Sequence, residues 1–229
     1  VIATDVLAPS DEVEAIDGEG SLAYRIASVT DANDHQEIVD RCVAEFGGVD
    51  VLVNNAALTI GGWLHEFAED DWERQLDVVL KGTFLTCKAV LPSMMEQKRG
   101  AIVNTASTVA LLATHKHPAY GAAKAGVMHL SRQIALDYGP YGIRCNSVCP
   151  GPTVTPKTRN IYFDGGETPT ARGKWLEETI PLGRFAEPPE IAAAITFLAS
   201  DDASFITGAT LFADGGHSIH IGAAAAHLF

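Results

Sequence analysis

Val49-Asp-Val-Leu-Val53-Asn-Asn55 decides the fold. Four of its first five residues are apolar, three of them β-branched, and two asparagines end the run, so 49–53 reads as a short buried strand. Just before it, Gly47-Gly48 stops a helix whose apolar residues Ile38, Val39, Cys42, Val43 and Phe46 recur at helical spacing; Thr30 is placed to cap it. Further upstream, 1–6 reads as another strand. Downstream, 70–97 is a long helical stretch with Trp72, Leu76, Leu80, Phe84 and Leu91 expected on one side and Pro92 near a bend or boundary. Strands at 101–105, 143–148 and 210–212 alternate with helices at 118–138 and 188–199, the latter with Ile191, Ile195 and Leu198 inward. Such alternation predicts an α/β domain with a parallel sheet covered on both faces and right-handed crossovers. The stretch 152–184 stands apart from the alternation, with prolines at 152, 156, 169 and 181; it reads as a flap over a site or as a plain surface excursion.

With 229 residues, 47% of them apolar, the chain can bury a sizeable core. A net charge of −13 argues against nucleic acid and anionic membrane surfaces as partners. No uninterrupted apolar run has the length of a membrane span, and no basic-then-apolar leader opens the sequence. Four cysteines, at 42, 87, 145 and 149, include no Cys-x-x-Cys pair, so reduced thiols in a cytoplasmic setting are expected and no metal site.

The chemistry concentrates in Tyr120-Gly-Ala-Ala-Lys124, with Ser107 thirteen residues upstream. On a helix, positions i and i+4 share a face, so Tyr120 and Lys124 point into one space. Ser107 follows the strand at 101–105, at the carboxyl end of the sheet, where open α/β sheets bind ligands. A tyrosine is a poor base near neutrality; a neighbouring ammonium favours its phenolate and is expected to lower its pKa. The phenol then serves as general acid or base while a serine hydroxyl holds the substrate oxygen.

The Ser…Tyr-x-x-x-Lys spacing resembles the active site of the short-chain dehydrogenase/reductase family. Asn54-Asn55-Ala56-Ala57 is similar to the family's Asn-Asn-Ala-Gly, and Asn146-Ser-Val-Cys-Pro150-Gly151-Pro-Thr-Val-Thr155 to its Asn-x-Val-x-Pro-Gly-x-x-x-Thr. Thr207-Gly208 and Asp214-Gly215-Gly216 resemble its last strand and turn. The resemblance runs from Val1 to about Ser218. It implies one Rossmann-like, doubly wound NAD(P)-binding domain over 1–229 with a substrate lid at 152–184. It also implies hydride transfer between a nicotinamide and a secondary alcohol or ketone. In it Tyr120 exchanges the proton, Lys124 holds the nicotinamide ribose, Ser107 orients the substrate oxygen, and Asn55, Ala56, Ala57, Pro150, Gly151 and Thr155 shape the cofactor pocket.

Three departures from the family pattern stand out. The glycine-rich phosphate loop is due ahead of Val1, because 1–5 resembles the family's second strand and its acidic end. The domain is thus expected to lack its first βα unit, with an N-terminal segment lost from the recorded sequence. Val79 stands where the family often has an asparagine that holds a proton-relay water; His115 and His117 are candidates to hold it instead, or surface residues of the substrate loop. Ser28-Val29-Thr30 replaces Asp-Val-Thr, whose acid meets the adenine ring.

Asp5 sits where an acid accepts from the adenosine ribose, favouring NAD over NADP. Thr158, Arg159, Asn160, Tyr162, Arg172 and Trp175 in the lid suit a polyol, a sugar acid or a cyclic alcohol, and Arg159 or Arg172 is able to pair with a carboxylate. Similar proteins assemble through their two long helices, here 70–97 and 118–138, so a homotetramer or homodimer is expected; Ala119, Ala122, Ala123 and Ala125 either permit that approach or pack on the chain's own sheet. A non-catalytic binding or assembly protein is the competing reading, motivated by Val79 and the absent loop. The intact trio of Ser107, Tyr120 and Lys124 favours the enzyme.

Overall fold

The computed structural model describes residues 1–8, 22–164 and 168–219. Strands β1 (Ile2–Asp5) and β2 (Ala23–Ile26) pair in parallel, and helix α1 (Ala32–Phe46) follows. Strand β3 (Val51–Asn54) leads through a short 3-10 turn into helix α2 (Glu69–Leu76), a π turn (Asp77–Lys81) and helix α3 (Gly82–Gln97). Then come β4 (Gly100–Thr105), α4 (Pro118–Tyr138), β5 (Ile143–Pro150), the short α5 (Pro156–Tyr162) and α6 (Ala171–Glu178), α7 (Pro188–Ala199) and β6 (Thr210–Ala213).

All strand pairs are parallel, as βαβ crossovers require. Four strands form one sheet in the order β3-β4-β5-β6, and β1-β2 form a second, two-stranded one. The parallel α/β architecture expected from the alternation is present, but the described strands make two hydrogen-bonded sheets rather than one. Among the described residues β3 pairs only with β4, and its Val51 and Val53 are 45% and 43% exposed.

Local chemistry explains the boundaries. Asp31, not Thr30, caps α1: its carboxylate accepts from the Asn33 amide at 2.8 Å, while the Thr30 hydroxyl shares a bond with Ser28 Oγ. A carboxylate beside a helix N-terminus gains from the dipole as well as the hydrogen bond. Gly47 ends the helix at φ +83°, a left-handed conformation that favours glycine.

The long helical stretch packs differently from the expected stripe. Gln75, Val79, Gly82, Thr83, Cys87, Val90, Leu91 and Met94 are the buried residues, whereas Trp72 is 36% and Phe84 46% exposed. The buried stripe and the expected one both step by four and lie one residue apart from Gln75 to Phe84; apolar residues stand on more than one side of this helix, so the pattern does not choose between the two registers. Pro92 lies inside α3. By length and hydropathy Glu69–Gln97 is apolar enough to cross a membrane, but its buried face is a wall of this core, packed with Val39, Ile102, Ile134 and Cys145. Ala119 and Ala123 are buried within the chain's own core, while Ala122 and Ala125 are exposed.

A chain of buried polar groups ties the sheet to its covering helices. Thr86 Oγ1 donates to Asn54 Oδ1 at 2.6 Å, Asn54 Nδ2 to Asn104 Oδ1 at 2.8 Å, and Asn104 Nδ2 to Ser131 Oγ at 2.9 Å. Satisfied in this way, the network fixes the lateral position of β3, β4, α3 and α4. Cys87, Cys145 and Cys149 are buried free thiols; Cys42 is half-buried.

Candidate active site

The carboxyl ends of β3, β4 and β5 open onto one cleft. β4 ends at Thr105, and the chain turns through Ser107 into a 3-10 turn that Ser107 itself caps, its Oγ accepting from the Val109 amide at 3.3 Å. α4 then begins at Pro118, whose fixed φ suits the first helical turn. This places Tyr120 in the first turn of α4, against the end of β4, with Lys124 one turn deeper.

Lys124 is 2% exposed and donates from Nζ to the Thr105 carbonyl at 2.5 Å; its ammonium lies 5.7 Å from the centre of the Tyr120 ring. Burial pulls its pKa down from 10.5 to about 8. The Thr59 and Ser107 side chains beside Tyr120 favour its phenolate, but burial outweighs them and its pKa is raised. The lowering expected from Lys124 is therefore absent in this state. The ammonium faces the ring and bonds a carbonyl, while desolvation penalises the phenolate. Cys149, also buried beside Ser107 and Lys124, is raised to about 11 and remains a thiol.

Val79 is fully buried in an apolar wall with Ala106, Ala123, Val127 and Tyr120. It offers no hydrogen bond. Near it, Gln75 Oε1 and Thr105 Oγ1 are buried without partners, and so is His117 Nδ1. Gln75 is anchored by Nε2 to the Ile60 carbonyl at 3.1 Å. His117 meets Tyr120 edge-on, ring centres 6.4 Å apart, whereas His115 is exposed. A groove of about 570 Å³ runs past Trp63, Leu112, His117 and Ala122.

The other expected site residues are distributed as follows. Asn55, Ala56 and Ala57 line the exposed turn after β3, and Pro150 and Gly151 are half-buried at the end of β5. Gly151 is required by contact: a Cβ there would sit 2.7 Å from Asp214 Cα. Thr155 caps α5 in a reciprocal bond with Thr158, so both threonines are engaged in the helix start. Asp5 is exposed at the end of β1, its carboxylate accepting from the Leu7 amide at 3.1 Å. Ser28 donates its amide to Asp34, and Val29 packs on Gly82 of α3. In the stretch 152–184, Arg159 and Trp175 are exposed, and Arg172 stacks over Tyr162 at 5.1 Å.

Two residues of this region escaped the sequence reading. Thr59, beside Tyr120, lies in a loop with no periodic signal, four residues past Asn55. Lys157 reaches back from α5 to donate to the Thr59 carbonyl at 3.3 Å. Only the fold brings the two together.

The site's donors fit a nicotinamide nucleotide. An ammonium and a phenol one helical turn apart match a ribose diol, orphaned polar atoms border the cleft, and an acid stands at the end of β1. Comparison with known proteins agrees. Residues 1–218 match the family described as Enoyl-(Acyl carrier protein) reductase. The 3-oxoacyl-(acyl-carrier-protein) reductase of Thermotoga maritima is 39% identical over 197 residues, 86% of this chain and 77% of that protein. D-threitol dehydrogenase of Mycolicibacterium smegmatis is 44% identical over 191 residues, 83% and 71% of the two chains. The ligand-free aldohexose dehydrogenase of Thermoplasma acidophilum superposes with a TM-score of 0.84 at 34% identity, covering 96% of this chain and 84% of its own. Nothing in these similarities favours a non-catalytic protein. The chain belongs to the short-chain dehydrogenase/reductase family, the NAD(P)-dependent oxidoreductases of alcohols and ketones.

Proposed function

We propose that the protein transfers hydride between NAD and a secondary alcohol or its ketone, with Tyr120 exchanging the proton, Ser107 orienting the substrate oxygen and Lys124 holding the cofactor ribose. The observation that carries this is the buried Lys124 ammonium facing the Tyr120 ring, beside the Ser107 and Thr59 hydroxyls. When bound, the nicotinamide supplies the site that gives or accepts hydride.

In ketone reduction the Tyr120 phenol gives its proton to the carbonyl oxygen as that oxygen gains charge; in alcohol oxidation the phenolate takes the hydroxyl proton. Ser107 donates a hydrogen bond to the same oxygen and fixes its distance from the phenol. Lys124 is cationic below about pH 8 and stabilises the phenolate when it forms. The raised pKa of free Tyr120 suits the acid role first, so oxidation is expected to quicken as pH rises and reduction to slow.

Asp5 supports NAD over NADP: its exposed carboxylate is available to a ribose 2′-hydroxyl and repels a 2′-phosphate. Asn55, Ala56, Ala57, Pro150, Gly151 and Thr155 border the remaining pocket in this reading, with Ser28 and Val29 at the adenine end. The residues 152–184, with α5 and α6, form the lid. Assembly into a homodimer or homotetramer is supported by the apolar groups that α2–α4 expose, Trp72, Phe84 and Leu136 among them. Four free cysteines accord with a reducing, cytoplasmic setting.

The test is spectrophotometric. The protein is incubated with NAD or NADP against a panel of secondary alcohols, and absorbance of the reduced cofactor is followed. NAD-linked turnover is expected on part of the panel; no turnover and no cofactor binding would overturn the reading.

A further inference from the structure

We propose that His117 is a substrate-binding residue: its Nε2–H holds a second oxygen of the substrate, on the carbon next to the reacting one, and the substrate is a 1,2-diol or the α-hydroxyketone made from it. The reacting carbon lies at Tyr120 in this account, which rests on the function proposed above.

The imidazole is framed on both sides. Its ring meets the Tyr120 ring edge-on, centres 6.4 Å apart and planes at 64°. Behind it runs the Gly61 backbone: a Cβ on Gly61 would stand 3.8 Å from His117 Cε1 and 3.4 Å from the Lys116 carbonyl oxygen. The His117 carbonyl accepts from the Gly121 amide at 3.1 Å, which ties the residue into the helix start that carries Tyr120. The residue before it is strained. Lys116 stands at φ +64°, a left-handed conformation that lysine rarely adopts. Gly62 holds it there by donating its amide to the Lys116 carbonyl at 2.9 Å, and the Lys116 ammonium lies 5.1 Å from the centre of the Trp63 ring. Gln75 anchors the same segment through the Ile60 carbonyl at 3.1 Å. A solvated surface histidine requires no such frame. Strain kept in place by surrounding contacts marks a group whose position matters.

The two ring nitrogens have different surroundings. Nδ1 is buried without a partner, whereas Nε2, which bonds none of the described residues, is left to the open side of this half-buried ring. Burying an N–H without a partner is the rarer arrangement, so the neutral ring carries its proton on Nε2 and is a donor there. Burial keeps the ring toward that neutral form. A neutral donor suits a hydroxyl or carbonyl oxygen. The reacting oxygen already has Tyr120 and Ser107, so a further donor beside the phenol serves a further oxygen. The oxygens of a 1,2-diol are one carbon–carbon bond apart, a span that two rings 6.4 Å apart can bracket. In oxidation the reacting carbon gives hydride to the nicotinamide and its hydroxyl gives a proton to Tyr120, leaving a carbonyl; the neighbouring hydroxyl stays intact on His117.

The test compares cyclohexanol with 1,2-cyclohexanediol and 1,3-cyclohexanediol, by kcat/KM with NAD and by calorimetric titration with and without NADH, where no turnover follows. The 1,2-diol is expected to lead cyclohexanol about fivefold or more per hydroxyl, and the 1,3-diol is not. His117→Phe keeps a ring against Tyr120 and removes the donor, so the ratio of 1,2-diol to cyclohexanol should fall toward one in both measurements. His117→Gln, which still offers an N–H, should retain part of it. Equal treatment of the 1,2-diol and cyclohexanol, an equal lead for the 1,3-diol, or a ratio unmoved in His117→Phe would overturn the inference. Turnover of cyclohexanol with no lead for the 1,2-diol would remove this role of His117 and leave hydride transfer standing. A His117-dependent preference in the titrations, with no reduced cofactor formed from any alcohol, would do the reverse.

Discussion

The two ends of the cleft are held in different ways. At the reacting end, Lys124 is enclosed, its carbonyl partner comes from the middle of a four-stranded sheet, and the polar chain from Thr86 to Ser131 locks the strands that carry it. At the proposed adenosine end, Asp5 and Thr30 are exposed on and beside a two-stranded sheet, and their hydrogen bonds are short-range turns. Proton transfer demands that one oxygen be placed within a fraction of an ångström, so its groups sit in the stiff part of the molecule. Choosing between two nucleotides demands only a charge of the right sign near the right hydroxyl, and in the proposed reading the exposed Asp5 supplies it. Substitutions at the two ends should differ accordingly, in size and in what they change.

The largest effect is expected at Tyr120. Tyr120→Phe removes only the hydroxyl, keeps the packing, and should cost about 10²- to 10⁴-fold in turnover, with cofactor affinity changed by less than about twofold. Steady-state rates with a fluorescence titration of the cofactor measure both. Retained turnover would show that another group moves the proton.

Lys124→Met separates chemistry from stability. Turnover should fall about a hundredfold or more. Stability should behave otherwise, because the folded protein binds the Lys124 proton less well than the unfolded chain does. The displacement from 10.5 to about 8 costs about 3 kcal/mol when the group is charged, in full below about pH 8, and is relieved as pH rises toward 10.5. The buried cysteines and Tyr120 have raised values and pull the opposite way in alkali, so the quantity to measure is the difference between wild type and variant. Denaturant unfolding at pH 7 and at pH 10 should show wild type gaining on Lys124→Met at the higher pH. A constant difference would mean that the folded and unfolded chains bind the Lys124 proton equally, so that burial does not displace its pKa.

A packing pair sharpens the contrast without touching the chemistry. Ile102 of β4 is 1% exposed and Ile26 of β2 is 62% exposed. Ile102→Ala should cost about 2–5 kcal/mol in chemical unfolding, and Ile26→Ala less than about 0.5 kcal/mol. Comparable losses would mean that β1-β2 is as firmly integrated as the larger sheet.

The same division governs what the sequence disclosed. Strand–helix alternation and the Tyr120–Lys124 spacing were legible because they are periodic: a shared helix face needs only the count from i to i+4. Helix starts at Pro118 and Pro188 were legible for a local reason, the fixed φ of proline. The buried face of α2–α3 was not, because the helix is apolar on more than one side and the register one residue away is no less apolar in sequence. Nor was the cap of α1, where Thr30 and Asp31 are both competent and only the backbone decides between them. Thr59, Gln75 and Lys157 are ordinary residues in sequence. Their meeting is created by loops closing across the sheet ends, a distance that no local pattern encodes. The direction of the Tyr120 shift was also hidden: it depends on how deeply the ring is buried against how squarely Lys124 faces the phenol oxygen.

The smallest effect expected at the cleft is the most specific. Asp5→Asn preserves the size of the side chain at the end of β1 and its acceptor for the Leu7 amide, so the fold should be untouched. The charge alone is lost. In the NAD-linked reading that charge serves as an acceptor for a ribose hydroxyl and as a barrier to a phosphate, so its removal should weaken NAD about threefold and strengthen NADP by a similar factor. Together these narrow the preference by about tenfold, or about 1.4 kcal/mol at the ratio of kcat/KM values. The shift should shrink at high salt, because an exposed charge is screened there. A preference that does not move in Asp5→Asn would place the discrimination elsewhere at this end, with Arg25 or the Ser28 turn next to be changed. A collapse of turnover with both nucleotides would break the comparison itself, since it would mean that this exposed strand end helps to position the reacting groups.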